Sequence, residues 1–206
     1  MKTARLALLV LALAAAVACF GPGHLKRYFD FQTGPIPEET GGPTLAKSLY
    51  VGRVDVADVW NDFRIIYRRS ATELNYYPNE FWAGKPDRLV RDTIFHYLQG
   101  RRVFAAVSQE EGRETADWVL RCRVHRLEEF DLANVWGARL SMDMTVVENK
   151  TGQVIERREF DRTLPLARKS VSELPVTLSR ILIEELEAFV QSLRGKGLTS
   201  AAKTAK

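Results

Sequence analysis

The sequence predicts an α+β domain in which a mainly antiparallel sheet carries two helices on one face. Two observations in the 206-residue chain lead to this fold class. Several runs alternate apolar and polar residues with the period of a strand, and two other runs repeat apolar residues with the period of a helix. The strand-like runs are grouped apart from the two helical ones, which is typical of a helix layer packed on an antiparallel sheet.

The clearest strand signals lie in the second half of the chain. In the run 116–130, Trp118, Leu120, Cys122 and Val124 fall on one face, and the run 136–148 alternates in the same way. Because only the short segment DLAN separates the two runs, they predict an antiparallel hairpin with one buried face. The further strand candidates are a short one near Tyr28–Gln32, 49–60, 63–68, 73–77 and 153–163.

Two stretches predict helices. KPDRLVRDTIFHYLQG has Pro86 in its first turn, where a missing N–H costs nothing, and Gly100 at its end. SVSELPVTLSRILIEELEAFVQSLRG offers Ser172 as an N-cap, with Pro175 in the first turn. Each has an apolar stripe along one side, so each is expected to bury that side against the sheet.

The amino terminus has the pattern of an export signal. Lys2 and Arg5 precede an apolar run that is too short to span a bilayer but suits a signal peptide. The segment AVAC resembles the lipobox of bacterial lipoproteins, and this resemblance implies that Cys19 is acylated and becomes the first residue of the mature chain. Phe20 follows the cysteine, and the absence of an aspartate there favours the periplasmic face of the outer membrane, with the inner membrane as the alternative.

Composition shifts divide the chain into four parts. We expect a signal peptide at 1–18, a Gly- and Pro-rich tether with one short strand at 19–47, the α+β domain at 48–194, and a disordered basic tail at 195–206. The net charge of +4 comes from the signal and the region of the tail, so the folded body is close to neutral. We therefore expect no nucleic-acid partner.

The titratable residues show no pattern of an enzyme or a metal site. The histidines are scattered, and if Cys19 is acylated, Cys122 has no second cysteine as a partner. No nucleophile elbow, P-loop or dinucleotide fingerprint is present. The acidic run of Glu128, Glu129 and Asp131 is expected to be a solvated face, so we predict a protein without enzymatic activity, metal or cofactor apart from the lipid on Cys19.

An aromatic segment, RIIYRRSATELNYYPNEFWAGKPDRLVRDTIFHYL, is similar to the core signature of the ABC-type transport auxiliary lipoprotein family. The matching residues are Tyr67, Arg68, Tyr76, Tyr77, Trp82, Pro86, Leu89 and Val90. The resemblance covers most of the mature chain and is dense over about 40 residues. It implies an accessory lipoprotein of a lipid-transport system that contains an MCE-domain substrate-binding protein, an ABC permease and an ATPase.

Two interpretations of this segment remain open. Its aromatic residues either fill the corner between a hairpin and the following helix, or leave Tyr77, Phe81 or Trp82 exposed for a partner. Tyr76 and Tyr77 must face opposite sides of their strand.

Two functions also remain open. One is docking onto the transport machine through such a surface. The other is a carrier that holds a lipid between helices and sheet, in a cavity lined by Trp118, Trp136, Met142 and Met144. Arginines on the strands are expected to pair with acidic residues across strands, or else to hold anionic headgroups.

Overall fold

The structure of the chain is a computed structural model that describes residues 25–32, 34, 45–132 and 135–204, with the backbone alone at 132 and 197–204. Cys19 and the signal peptide lie outside the described residues. The strands are β1 (Arg27–Phe29), β2 (Leu45–Val56), β3 (Arg64–Arg68), β4 (Leu74–Trp82), β5 (Phe104–Ser108), β6 (Trp118–Leu132), β7 (Val135–Glu148) and β8 (Val154–Pro165). The helices are α1 (Pro86–Gly100), α2 (Glu173–Thr204) and a short 3-10 helix at Asp58–Trp60.

The eight described strands form one mixed sheet, so the expectation of a mainly antiparallel sheet is wrong. β6 pairs with β7 in antiparallel register along its length, and β7 pairs with β8 in the same sense. On its other edge, β6 runs parallel to β2 and then parallel to β3. The pairs β1–β4 and β2–β5 are also parallel. Alternation of side chains sets the faces of a strand but not the direction of its neighbour, which is why the sequence did not show the parallel pairs.

The first helix has the bounds that the sequence predicted. Lys85 is extended at the N-cap, Pro86 opens the first turn, and the helix ends at Gly100. Its buried side includes Val90, Ile94 and Leu98. This helix connects β4 to the short strand β5, which the sequence analysis missed and which pairs parallel to β2.

The second helix is longer than predicted. It begins at Glu173 and continues to Thr204, past the boundary that the sequence placed at residue 194. Its apolar stripe, which includes Leu178, Leu182 and Leu186, is fully buried. At the outer strand β8 the contact becomes ionic, because Arg162 donates to Glu185 at 2.9 Å.

The core lies between the two helices and the sheet. The inward side chains of the central strand β7 are fully buried, and they are Ala138, Leu140, Met142, Met144 and Val146. Tyr97 of α1 donates a hydrogen bond to Glu187 of α2, so the two helices share one face of the sheet. The opposite face of β6, β7 and β8 has no described α-helix over it, and the 3-10 helix at Asp58–Trp60 lies against one end of it.

Candidate functional site

The face of β6, β7 and β8 that lies opposite the two α-helices is a charged surface. Because these strands pair in regular register, their outward side chains form cross-strand rows. The outward residues are Arg121, Arg123, Arg126, Glu128, Arg139, Ser141, Asp143, Thr145, Arg157, Glu159, Asp161 and Thr163. We call this surface the charged face.

Opposite charges meet across the strands of the charged face. Asp161 accepts hydrogen bonds from Arg139 at 2.7 Å and from Arg126 at 3.1 Å. The hydrogen bond from Arg139 lowers the pKa of Asp161 below its ordinary value, against the effect of burial. Asp143 lies 3.0 Å from His125. Exposed pairs of this kind contribute about 1 kcal/mol or less each, so their main effect is to order the surface.

One ion pair of this face is buried. Glu128 has no solvent exposure and accepts hydrogen bonds from Arg68 Nε at 2.8 Å and Nη2 at 3.1 Å. Trp60 of the 3-10 helix donates its indole N–H to the same carboxylate at 3.0 Å. These contacts hold the segment between β2 and β3 over the end of the charged face.

A groove of about 580 Å³ lies beside this segment. It is lined by Trp60, His125, Arg126, Ser141, Glu159, Phe160 and Asp161. Val59, next to Trp60 in the 3-10 helix, is 43% exposed. The groove thus combines an indole with an arginine, two residue types that are enriched among those contributing most to binding at protein interfaces.

In the acidic run of β6, Asp131 is exposed as the sequence suggested, but Glu128 and Glu129 are buried. A β-bulge between Val124 and Arg126 shifts the alternation, so that Glu129 points to the helix side of the sheet and Glu128 to the charged face. Glu129 is 1% exposed. Adjacent residues of a strand face opposite sides, and both sides are covered here, so both carboxylates are buried.

Glu129 belongs to a small aromatic cluster. Tyr77 donates its hydroxyl to Glu129 at 2.6 Å and packs on Tyr67 with ring centroids 4.6 Å apart. Burial raises the pKa of Glu129, and the hydrogen bond from Tyr77 opposes this shift. The indole N–H of Trp136 also lowers the pKa of Glu129. In the described part of the chain, neither that N–H nor Glu129 Oε2 makes a hydrogen bond of good geometry.

The three predicted partner-binding residues fall in different environments. Trp82 is 2% exposed and packs edge-on against Phe31 at 5.5 Å, so it is a core residue. Tyr77 is half-buried, whereas Phe81 stacks on Tyr28 at the edge of the sheet. Their contacts with a partner stay a prediction. Tyr76, on the opposite side from Tyr77, is 37% exposed.

Three of the four side chains nominated for a lipid cavity lie within the packed interior, and the fourth, Trp136, is only partly buried. Met142 and Met144 are fully buried in the core cluster, and Trp118 packs edge-on against Phe104 at 6.3 Å. Trp136 lies beside Glu129, with the ammonium of Lys169 5.7 Å from its ring. Trp118, Met142 and Met144 therefore belong to the packed core, and the carrier function stays a prediction.

The other titratable residues are dispersed in the described part of the chain. His96 is exposed on α1, and Cys122 is buried with a free thiol whose pKa is raised by burial. Within the described ranges, no three His, Cys, Asp or Glu side chains converge as metal ligands would. His24 lies outside these ranges.

The functional residues that sequence reasoning missed are Trp60, Arg68 as the partner of Glu128, and the groove that they border. A signal was available for Glu128 and Glu129. Two successive acids flanked by Leu127 and Phe130 in one strand cannot both be solvated when one face is core.

Comparison with known proteins decides the family. The model of the ABC-type transport auxiliary lipoprotein component matches residues 29–188, which include almost the whole described sheet and the first half of α2. The chain belongs to this family. The resemblance seen in the aromatic segment is therefore confirmed.

Solved structures show the same fold. The crystal structure of protein XCC0632 from Xanthomonas campestris is similar with a TM-score of 0.73 at 16% identity, over 85% of this chain and 99% of that chain. A crystal structure of an uncharacterised protein aligns with a TM-score of 0.56 at 17% identity, over 88% and 99% of the two chains. No curated protein matches the sequence.

Membership of the family indicates a membrane-anchored periplasmic lipoprotein that serves an ABC-type transport system. Neither of the two described helices is both long and apolar enough to cross a bilayer.

Proposed function

We propose that this lipoprotein, acylated at Cys19 and held at the periplasmic face of the outer membrane, docks onto the MCE-domain protein of a lipid-transporting ABC system. In this function the domain receives the far end of an assembly that begins at the permease and ATPase. Its role is binding and positioning, without catalysis.

The observation that carries the proposal is the charged face. The two helices of the domain lie on the other side of the sheet, and the groove beside Trp60 presents an indole together with cationic and anionic side chains. The hydrogen bonds to Glu128 fix Trp60 before any partner binds, so little side-chain entropy is lost on docking.

Tethering strengthens such a surface. A domain held at the membrane by acyl chains is concentrated where the transport assembly arrives, and this raises the effective concentration of one partner for the other. The near-neutral charge of the folded body also suits a specific contact better than non-specific attraction.

Packing favours docking over the carrier function. A lipid between helices and sheet would have to displace Met142 and Met144, which are fully buried in contact with the rest of the core. The groove beside Trp60 is lined mainly by charged and polar side chains, which do not suit acyl chains.

The test is capture of the MCE-domain protein by the full-length lipidated chain after gentle extraction, read by native mass spectrometry. Arg126→Glu reverses one charge on the groove wall and should weaken capture at least several-fold. Arg180→Glu makes the same change on the exposed side of α2 and should leave capture unchanged.

Three results would count against the proposal. Equal capture by the two variants would show that the docking surface is not the groove beside Trp60. No capture by the unaltered protein would exclude docking. Bound phospholipid without the MCE-domain protein would favour the carrier instead.

A further inference from the structure

The edge of the sheet next to the tether exposes apolar side chains. Leu25, two residues before β1, is 87% exposed, and Tyr28 in β1 is 64% exposed. β1 pairs with the end of β4. Tyr76 and the half-buried Phe81 belong to β4. We call these four residues the aromatic edge.

Cations surround the aromatic edge. The ring of Phe81 stacks on Tyr28 at 5.7 Å, and the ammonium of Lys26 lies 5.5 Å from the Phe81 ring. The guanidinium of Arg64 lies 4.0 Å from the ring of Tyr76, and it is also paired with the carboxylate of Asp62 at 2.9 Å, so a lipid phosphate would share it with Asp62. Arg64 is also the register partner of Phe81. Aromatic rings flanked by lysine and arginine are typical of a surface that meets lipid headgroups.

The sequence places this surface close to the acyl anchor. Leu25 lies six positions after Cys19, and a chain of that length reaches about 20 Å at most when fully extended. If Cys19 carries acyl chains, as the proposed function requires, its sulfur lies at the membrane surface. The aromatic edge is therefore held within a short distance of the headgroups.

We propose that the aromatic edge rests on the headgroup region of an anionic phospholipid bilayer, with Lys26 and Arg64 at the lipid phosphates. This contact rests on the acylation of Cys19 in the proposed function. It sets the orientation of the domain, because a tether alone leaves a domain free to rotate whereas a second contact fixes one side toward the membrane.

The experiment uses the full-length lipidated chain in vesicles of phosphatidylethanolamine and phosphatidylglycerol that contain a spin-labelled lipid. Tyr28→Cys carries an environment-sensitive fluorophore, and Val154→Cys, at the start of β8, is the control at similar exposure. Cys122 is buried and its thiol pKa is raised by burial, so it should not take the label.

Quenching by the spin-labelled lipid should be several-fold stronger at position 28 than at position 154. Adding Lys26→Glu and Arg64→Glu, or replacing phosphatidylglycerol by a zwitterionic lipid, should reduce the quenching at position 28.

The outcomes separate this inference from the proposed function. Equal quenching at the two positions in a chain with acylated Cys19 overturns the inference and leaves the tether intact. Shielding of position 28 only when the MCE-domain protein is added assigns the surface to a protein and also overturns it. A free thiol at Cys19, read beforehand by mass spectrometry, overturns the anchor and the contact that depends on it.

Discussion

The neighbours Phe81 and Trp82 of the aromatic segment have different roles, one at the surface and the other in the core. Trp82 is 2% exposed and packs against Phe31 in the core, whereas Phe81 lies at the sheet edge against Tyr28. Since neighbours in a strand face opposite sides, an alanine at one position leaves the surroundings of the other largely unchanged.

The expected cost of Trp82→Ala is that of a large cavity. Removing a buried tryptophan side chain lowers the free energy of unfolding by about 3–5 kcal/mol. For a domain of this size, each 1 kcal/mol corresponds to about 2–4 °C in Tm, so a fall of roughly 6–20 °C is expected. Phe81→Ala loses a partly exposed stacking contact, and its cost should stay near 1 kcal/mol.

The assay is thermal unfolding followed by circular dichroism, together with capture of the MCE-domain protein at a temperature where both variants are folded. Trp82→Ala should unfold early and still capture the partner while folded. A Trp82→Ala protein with an unchanged Tm and lost capture would show that this side chain is a binding residue, and would refute the core assignment.

Two further changes test the buried carboxylates. Burial raises the pKa of Glu129 in the folded state, so ionisation of its carboxyl group destabilises the fold. The free energy of unfolding should therefore fall as pH rises above about 4.3, the pKa of a glutamate in the unfolded chain. Urea unfolding at several pH values should show a smaller fall in the free energy of unfolding for Glu129→Gln than for the unaltered protein. An equal fall in the two proteins would contradict the assignment of Glu129 as a buried carboxyl with a raised pKa. Arg68→Ala removes the cationic partner of the buried Glu128 and leaves its carboxylate with only the hydrogen bond from Trp60 among those described above. It should cost about 3–5 kcal/mol in urea unfolding, and a cost below 1 kcal/mol would show that water reaches the carboxylate.

Local signals were sufficient for some elements of the fold. Pro86 and Gly100 mark the two ends of α1, and the long alternation around Cys122 and Met142 gives the hairpin β6–β7 and its buried face. These features depend on residues near one another in the chain, so a single sequence contains them.

Other elements depend on contacts between distant segments. The parallel pairing of β2 with β6 joins residues about 70 positions apart, and β5 is a short strand with two alanines, too weak to be seen alone. Gly195 and Gly197 suggested a helix end, yet α2 continues through both. Intrinsic propensity is a weak guide at such positions.

The candidate site was harder to predict than the fold. The aromatic segment pointed to the right family, but burial divides its residues between core and edge, and alternation alone does not say which face is covered. The bulge near Arg126 decides which of Glu128 and Glu129 faces the helices, and a bulge has no reliable signature in one sequence. Trp60 becomes a groove residue only because β3 and β6 bring Arg68 and Glu128 together.

The most direct test of the tethered docking function is native mass spectrometry of the unaltered protein extracted from its own membrane. The predicted result is a chain that begins at Cys19 with its acyl chains and carries the MCE-domain protein of a transport system. A chain with a free thiol at Cys19, released into the periplasmic fraction without that partner, would contradict it.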